Sequence, residues 1–158
     1  ILHYMSSDDF DPSYEKDIAS LQKMLTYVEP LKSTVTGEFS NALLYIDCAA
    51  PDKTFANKKT TYEITPDWQA KEMELTIQCP PGIIGSLYVC FADQDKKGRT
   101  GHLVFEGRDY ELVKQENEES WVKLHIMRED SNDGILRLKA KLKNGPDLVI
   151  SKVAIVEE

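Results

Sequence analysis

The side chains best suited to holding a ligand lie in one loop, in the chain reversal after it and at one tryptophan. Asp93, Asp95 and Arg99 share the loop DQDKKGRTG, and Arg108 lies in the next reversal. Trp68 follows a predicted turn and stands between polar residues, which favours an exposed indole. A flat aromatic ring can stack on the apolar face of a pyranose, while carboxylate and guanidinium groups hydrogen-bond its hydroxyls. These five residues are the candidate set for contacting a sugar.

The same loop also contains oxygen ligands of the kind that calcium prefers. Asp93, Asp95 and Gly98 form one such pattern, and the segment DSNDG at 130–134 forms a weaker one. Asp, Asn and Gly are equally the residues that tight turns require, and Asp and Arg in turns commonly form surface ion pairs. We therefore assign no cofactor, and structural calcium stays open as an alternative for the first loop.

Residues for acyl-transfer chemistry do not form a recognisable set. The sequence has no GxSxG motif, and its three histidines, His3, His102 and His125, are scattered through apolar segments. The chain has 27 acidic residues, so a carboxylate pair for glycoside cleavage can be drawn in many ways and none stands out. No catalytic residue is predicted, and a small glycoside hydrolase remains the third alternative for function.

The charge balance restricts the classes of partner. A formal charge of −8 on 158 residues disfavours nucleic acid and anionic membrane surfaces, which bind clustered Lys and Arg. No segment approaches the ~20 apolar residues of a membrane-spanning helix. A neutral ligand, or none, fits this composition better.

One helix is predicted near the start of the chain. Pro12 suits its first position, and Pro30 closes it. Its apolar residues recur on one helical face, at Tyr14, Ile18, Leu21, Leu25 and Val28. We assign 1–36 as a helical lead segment packed on the domain that follows. The alternative is a stripe that docks onto a neighbouring catalytic domain.

The rest of the chain, 37–158, is predicted to be an antiparallel β-sandwich of jelly-roll type. Eight to ten apolar or alternating segments are separated by turn residues, as in the segment 71–79, where Met73, Leu75 and Ile77 share one face. The segment 85–107 is predicted to be the central hairpin, and the turn SNDG at 131–134 is predicted to close another. The chain is therefore all-β, apart from one N-terminal helix.

The three cysteines, Cys48, Cys79 and Cys90, lie in apolar, strand-like segments without a CxxC motif. Buried free thiols are the expected state, because unpaired cysteine is among the most buried residue types. One disulfide is compatible with the count and would leave a thiol over.

The C-terminal half resembles a known class of module. Its D-x-D-x-x-G-R loop, F-E-G-R-D-Y turn, W-V-x-L-x-x-M-R-E-D-x-N-D-G segment and closing G-P-x-L-x-I strand are similar to those of the C-terminal accessory β-sandwiches of secreted polysaccharide-degrading glycoside hydrolases. Such modules have the galactose-binding-like jelly-roll fold and are usually non-catalytic.

The resemblance implies a function and a context for this chain. It implies a carbohydrate-binding or accessory module that is secreted, periplasmic or at the cell surface, and whose partner is a glycan or a neighbouring catalytic domain. The alternative is a structural domain that packs against a catalytic domain without binding sugar.

Overall fold

Strands make up nearly all the regular structure in the computed structural model, which describes residues 39, 41–65, 68–114 and 118–158. The strands are β1 (Leu44–Asp47), β2 (Phe55–Ala56), β3 (Thr61–Thr65), β4 (Gln69–Ala70), β5 (Glu72–Gln78), β6 (Gly85–Ala92), β7 (Thr100–Phe105), β8 (Arg108–Leu112), β9 (Glu119–Ile126), β10 (Ile135–Asn144) and β11 (Leu148–Glu157). Two short 3-10 turns, Pro51–Lys53 and Arg128–Ser131, complete them. The helix predicted within 1–36 lies outside the described residues. Within these ranges, no helix has the length and apolar character needed to cross a membrane.

The strands form two antiparallel sheets. The six-stranded sheet has the order β2-β1-β11-β6-β9, with β4 also paired to β11, and the five-stranded sheet has the order β3-β5-β10-β7-β8. Alternate side chains of both sheets point into one shared core, as in a sandwich. The all-β antiparallel sandwich predicted from the sequence is confirmed.

The alternation of side chains follows the sequence closely. Met73, Leu75 and Ile77 are 4%, 1% and 1% exposed, on the core side of β5. On β10, Leu136 and Leu138 are buried in the same core. The period of two places these side chains correctly because it depends only on the extended backbone.

The predicted central hairpin is wrong in its pairing. β6 pairs with β11 and β9 in the six-stranded sheet, whereas β7 pairs with β10 and β8 in the other sheet. The loop between them therefore crosses from one sheet to the other. Packed sheets lie about 10 Å apart, a distance that a loop of this length spans easily.

The turn SNDG does not close a hairpin either. β9 belongs to the six-stranded sheet and β10 to the five-stranded sheet. The 3-10 turn between them begins with Asp130 accepting the backbone N–H of Met127 at 2.7 Å. A tight hairpin does join β7 and β8, and its two turn residues, Glu106 and Gly107, have φ of 46° and 76°, as a type I′ turn requires.

All three cysteines are free thiols, as predicted. Cys79 lies in the core between the sheets, and Cys90 lies on the outer side of β6. Cys48 differs from the prediction because it is exposed, just beyond the end of β1.

Candidate functional site

A cleft of about 460 Å³ opens at one end of the sandwich. Segments from five places meet there: the end of β1, the start of β4, the β6–β7 loop, the start of β9 and the start of β11. Its polar lining comes from Gln69, Gln94, Asp95, Arg99, Glu119 and Ser151, and its aromatic residue is Trp68. Three of the five residues predicted from the sequence therefore line one cleft.

Trp68 is held firmly at the side of this cleft. Its carbonyl oxygen accepts the backbone N–H of Ile150 at 3.0 Å, which ties it to β11. The indole packs against the core, and its centroid lies 6.4 Å from that of Tyr62, with the ring planes inclined by 55°. The side chain is half-buried rather than fully exposed. A ring fixed by packing and partly open to the cleft is a pre-organised surface for stacking.

Arg99 lies at the centre of an ion-pair network formed by three carboxylates. Its Nη1 donates to Asp93 Oδ1 at 2.6 Å and to Asp95 Oδ1, while its Nε and Nη2 donate to Asp147 Oδ1 at 3.0 and 2.9 Å. A further bond joins Nη2 to Asp95 Oδ2 at 3.3 Å. These bonds use all five N–H groups of the guanidinium. Arg99, which is 7% exposed, therefore shapes the wall of the cleft and has no donor left for a sugar hydroxyl.

The network shifts the pKa values of its members in the direction expected for ion pairs. The hydrogen bond from Arg99 holds the pKa of Asp95 well below its usual range, and the bond to Asp95 raises that of Arg99. Hydrogen bonds from Gln69 and then Arg99 lower the pKa of Asp147, against the opposing effect of burial. The pKa of Asp93 is lowered as well. Because all three pKa values are lowered, the three carboxylates of the network are ionised at neutral pH.

Asp93 organises the backbone of the loop. Its carboxylate accepts the backbone N–H groups of Lys97, Gly98 and Arg99 at 3.1, 2.8 and 3.3 Å. Burial would raise the pKa of Asp93, but the bond from Arg99 and these backbone bonds outweigh it. Asp93 is 4% exposed, so it supports the loop from beneath and does not face the cleft.

The guanidinium of Arg99 occupies the position that a cation would take between these acids. Among the described residues, no group of three or more His, Cys, Asp or Glu side chains is arranged to hold a metal ion. In the second candidate loop, Asp130 accepts from Arg108 and from the backbone of Met127, both at 2.7 Å. Asp133 pairs with Arg137 at 2.8 Å. The acids of both loops are engaged in ion pairs and turns.

Arg108 does not reach the cleft. Arg99 directly precedes β7, whereas Arg108 begins β8, after the other end of β7. The length of β7, about 20 Å, therefore separates the two arginines. The Nη2 of Arg108 donates to Asp130 and to the carbonyl oxygen of His125 at 2.8 Å, and its guanidinium lies 5.5 Å from the centre of the Phe105 ring. The two reversals that contain Arg99 and Arg108 therefore lie at opposite ends of β7, and the predicted set of five residues does not come together in one site.

Several cleft residues were not among those predicted. Gln69 lines the cleft and donates from Nε2 to Asp147 Oδ2 behind it at 2.6 Å, across 78 positions of sequence. Glu119 and Ser151 come from the starts of two other strands. Gln94 and Gln69 have a signal in the sequence, as direct neighbours of the candidates Asp93, Asp95 and Trp68. The others depend on the strand order, which no local pattern specifies.

A second hollow of about 450 Å³ lies on the outer face of the five-stranded sheet. Charged side chains line it and pair across the strands: Lys141 with Glu72 at 2.7 Å, and Lys139 with Glu74 at 3.5 Å. Its only ring is the imidazole of His102, which pairs with Asp109 at 2.8 Å. Because its polar groups already pair with each other, the cleft beside Trp68 is the better candidate site.

Comparison with solved structures shows a likeness at low sequence identity. No protein-family model matches the chain, and no curated protein matches its sequence. Among solved structures, it is similar to the CBM35 from Cellvibrio japonicus Abf62, with 14% identity and a TM-score of 0.39 over 82% of this chain and 83% of that chain. At this level, the likeness assigns no family or ligand to the present chain.

Proposed function

We propose that this chain is a non-catalytic carbohydrate-binding module of a glycan-degrading enzyme, with the sugar held in the cleft beside Trp68. The observation that carries the proposal is the partly open indole placed among amide, carboxylate and hydroxyl side chains in a cleft of about 460 Å³. Sugar recognition needs this combination of one fixed apolar surface and several hydrogen-bonding groups around it.

Different residues of the cleft would have different roles. Trp68 stacks on the sugar ring, and Gln94 and Asp95, both exposed on the β6–β7 loop, reach its hydroxyls. Glu119 and Ser151, from the starts of β9 and β11, contribute further acceptors. Arg99 and Asp93, bound to each other, keep that loop in place.

The charges of the cleft favour a neutral glycan. The guanidinium of Arg99 is fully committed to carboxylates, and the ammonium of Lys152 pairs with Glu119. Lys97, on the same loop, already pairs with Asp95 at 3.2 Å, so a uronic acid would bring a further negative charge to Asp95 and Glu119, whose cationic partners are engaged. The formal charge of −8 on the whole chain acts in the same direction.

Glycoside hydrolysis has less support from these residues. It needs a carboxylic acid whose pKa is raised, next to a second carboxylate. Asp95, in the cleft, has its pKa lowered by Arg99. Burial does raise the pKa of Glu106, but this residue lies at the β7–β8 turn, where it accepts the backbone N–H of Arg137. The carboxyl group with the raised pKa, that of Glu106, therefore lies outside the cleft.

The second candidate is a structural domain that packs against a catalytic domain. Ile84 and Met127 are each 44% exposed, and they directly precede and follow the paired residues Gly85 and Ile126. They form a small apolar surface suited to contact with another domain.

Affinity electrophoresis and isothermal titration against a panel of polysaccharides test the first proposal. The panel contains neutral galactans, mannans, xylans and β-glucans, with polygalacturonate as the acidic member. We expect at least one neutral polysaccharide to retard the protein, and Trp68→Ala to weaken its affinity by about tenfold or more, as for the loss of an aromatic hot spot.

Phe55→Ala is the matched control, because Phe55 is an exposed aromatic residue outside the cleft. It should leave binding unchanged. A folded protein that binds no member of the panel would refute the proposal and favour the docking domain. Equal losses for Trp68→Ala and Phe55→Ala would place the sugar elsewhere.

A further inference from the structure

The outer face of the six-stranded sheet carries an apolar cluster that is separate from the core between the sheets. Its most buried members are Phe39, Cys90, Trp121 and Ala154, which are 7%, 0%, 6% and 0% exposed. Partly buried residues surround them: Ala42, Tyr45, Tyr88 and Val156. The outward side of a sandwich sheet normally carries polar residues, so this face is built to be covered.

Phe39 lies over the middle of this face. Its ring centroid is 5.1 Å from that of Trp121, 5.2 Å from that of Tyr88 and 5.9 Å from that of Tyr45. The small side chains of Cys90 and Ala154 belong to the same cluster, on the two central strands β6 and β11. They leave the space that a large ring fills between the surrounding aromatic groups.

The aromatic surface continues to the edge of the sheet. Phe55, on β2, stacks on Tyr45 with the ring centroids 6.0 Å apart and the planes inclined by 25°. Phe55 is 42% exposed, and Tyr45, Tyr88 and Val156 are only partly buried. The apolar face is thus wider than Phe39 alone can cover.

We propose that residues 1–38 of this chain cover the face, with the predicted stripe Tyr14, Ile18, Leu21, Leu25 and Val28 packed against the aromatic rings. The chain enters its described part at Phe39, which already lies on this face. Residues 29–38 can span at most about 35 Å when extended. The five main strands of the sheet extend over about 20 Å, so the stripe can reach any part of the face.

The position of Phe39 also favours this occupant over a separate protein. A neighbouring domain or a second copy of the chain would have to share the face with the segment that ends at Phe39. The stripe is then used within the chain, and it is not the surface through which the module contacts its enzyme. The proposal is independent of sugar binding, since the cleft and this face share no residue.

Thiol accessibility tests the proposal in the full chain. Cys90 lies in the outer cluster, Cys79 in the core between the sheets, and Cys48 on the surface. Alkylation of each thiol is followed by mass spectrometry in Leu21→Glu. Loss of one buried leucine contact should raise the alkylation rate of Cys90 by at least about tenfold while Cys79 stays protected.

Ser20→Glu is the matched control, since it adds the same charge one position away, off the predicted stripe. It should leave the rates of Cys79 and Cys90 unchanged. Equal rates for Cys90 in Leu21→Glu and Ser20→Glu would overturn the proposal.

A second measurement decides the case in which Leu21→Glu opens the whole sandwich and both buried thiols react. The photo-crosslinker p-benzoylphenylalanine replaces Tyr14, and the crosslinked peptides are mapped. We expect crosslinks within the same chain to the outer-face segments 39–47, 85–92, 119–126 and 148–157. Crosslinks to the five-stranded sheet, or only to a second copy of the chain, would overturn the proposal.

Discussion

Replacing Arg99 with methionine removes the guanidinium that joins Asp93, Asp95 and Asp147. Methionine keeps part of the aliphatic stem but donates no hydrogen bond. The three carboxylates then face each other across the β6–β7 and β10–β11 loops without a cation between them. We expect this variant to be markedly less stable than the parent chain.

Asp93 sets the size of the effect because it is the most buried of the three acids. It is 4% exposed, and Arg99, which donates to it at 2.6 Å, is 7% exposed. Removing one partner of a buried ion pair costs about 3–5 kcal/mol, and the lower end applies here because three backbone N–H groups still stabilise the Asp93 charge. A loss of about 3 kcal/mol corresponds to a fall in Tm of roughly 6–12 °C for a chain of this size.

The pH dependence gives an independent check. The folded pKa values of Asp93, Asp95 and Asp147 are lowered. A lowered folded pKa contributes stability that is present above the unfolded value, about 3.9, and is lost as the pH falls through the folded value. The stability difference between parent and Arg99→Met should therefore be full at pH 7 and should shrink below about pH 4.

Urea unfolding followed by circular dichroism, at pH 7 and at pH 3, measures both effects. Arg137→Met is the control, because Arg137 pairs with Asp133 at 2.8 Å on the surface and such pairs contribute little. Equal unfolding midpoints for Arg99→Met and Arg137→Met would refute the reasoning. So would a stability difference that stays the same at pH 3.

Three further predictions concern the backbone, the core and one thiol. Gly85→Ala should destabilise the fold more than Gly107→Ala: a Cβ at Gly85 would lie 2.1 Å from the Val156 carbonyl oxygen, whereas Gly107 has nothing within 4 Å and only its φ of +76° opposes the change. Urea midpoints of the two variants give the order. Leu138→Ala, in the core, should lower the free energy of unfolding by about 2–5 kcal/mol, and an unchanged Tm would contradict this. The residue Cys48 is exposed as a whole, but partial burial of its thiol against the Ile150 carbonyl oxygen, and then the charge of Asp47, raise its pKa to about 11. Its alkylation rate should therefore rise about tenfold per pH unit above neutrality, and a plateau near pH 8.5 would contradict this.

The sequence predicts which side of a strand is buried far better than it predicts which strands pair. The apolar residues of β5 and β10 are placed correctly because alternation is a property of one extended segment. Pairing is a property of two segments, and a short polar loop suits a hairpin and a crossover equally well. The β6–β7 and β9–β10 connections were both predicted as hairpins for this reason, and both cross between the sheets.

The residues of the candidate site also differ in whether the sequence predicts their contacts. Asp93, Asp95 and Arg99 are close in sequence, so their proximity in space was predictable, and Arg99 does bind both acids. Asp147 joins them from 48 positions away because the β10–β11 loop lies beside the β6–β7 loop. Without that third acid, Arg99 would keep donors free for a ligand. The distinction between a binding arginine and a structural one therefore depends on a contact that the sequence does not reveal.

β6 is apolar on both of its faces, although its place in the sandwich requires only one apolar face. Leu87, Val89 and Phe91 point into the core between the sheets, while Tyr88 and Cys90 point the other way and are also covered in part or in full. Packing against the five-stranded sheet explains only the burial of Leu87, Val89 and Phe91. Tyr88 and Cys90 require a cover on the outside of the molecule, and Phe39 is where the chain begins to supply it. A strand that is apolar on both faces thus indicates two separate apolar contacts, and the outer one is the contact that residues 1–38 are in a position to complete.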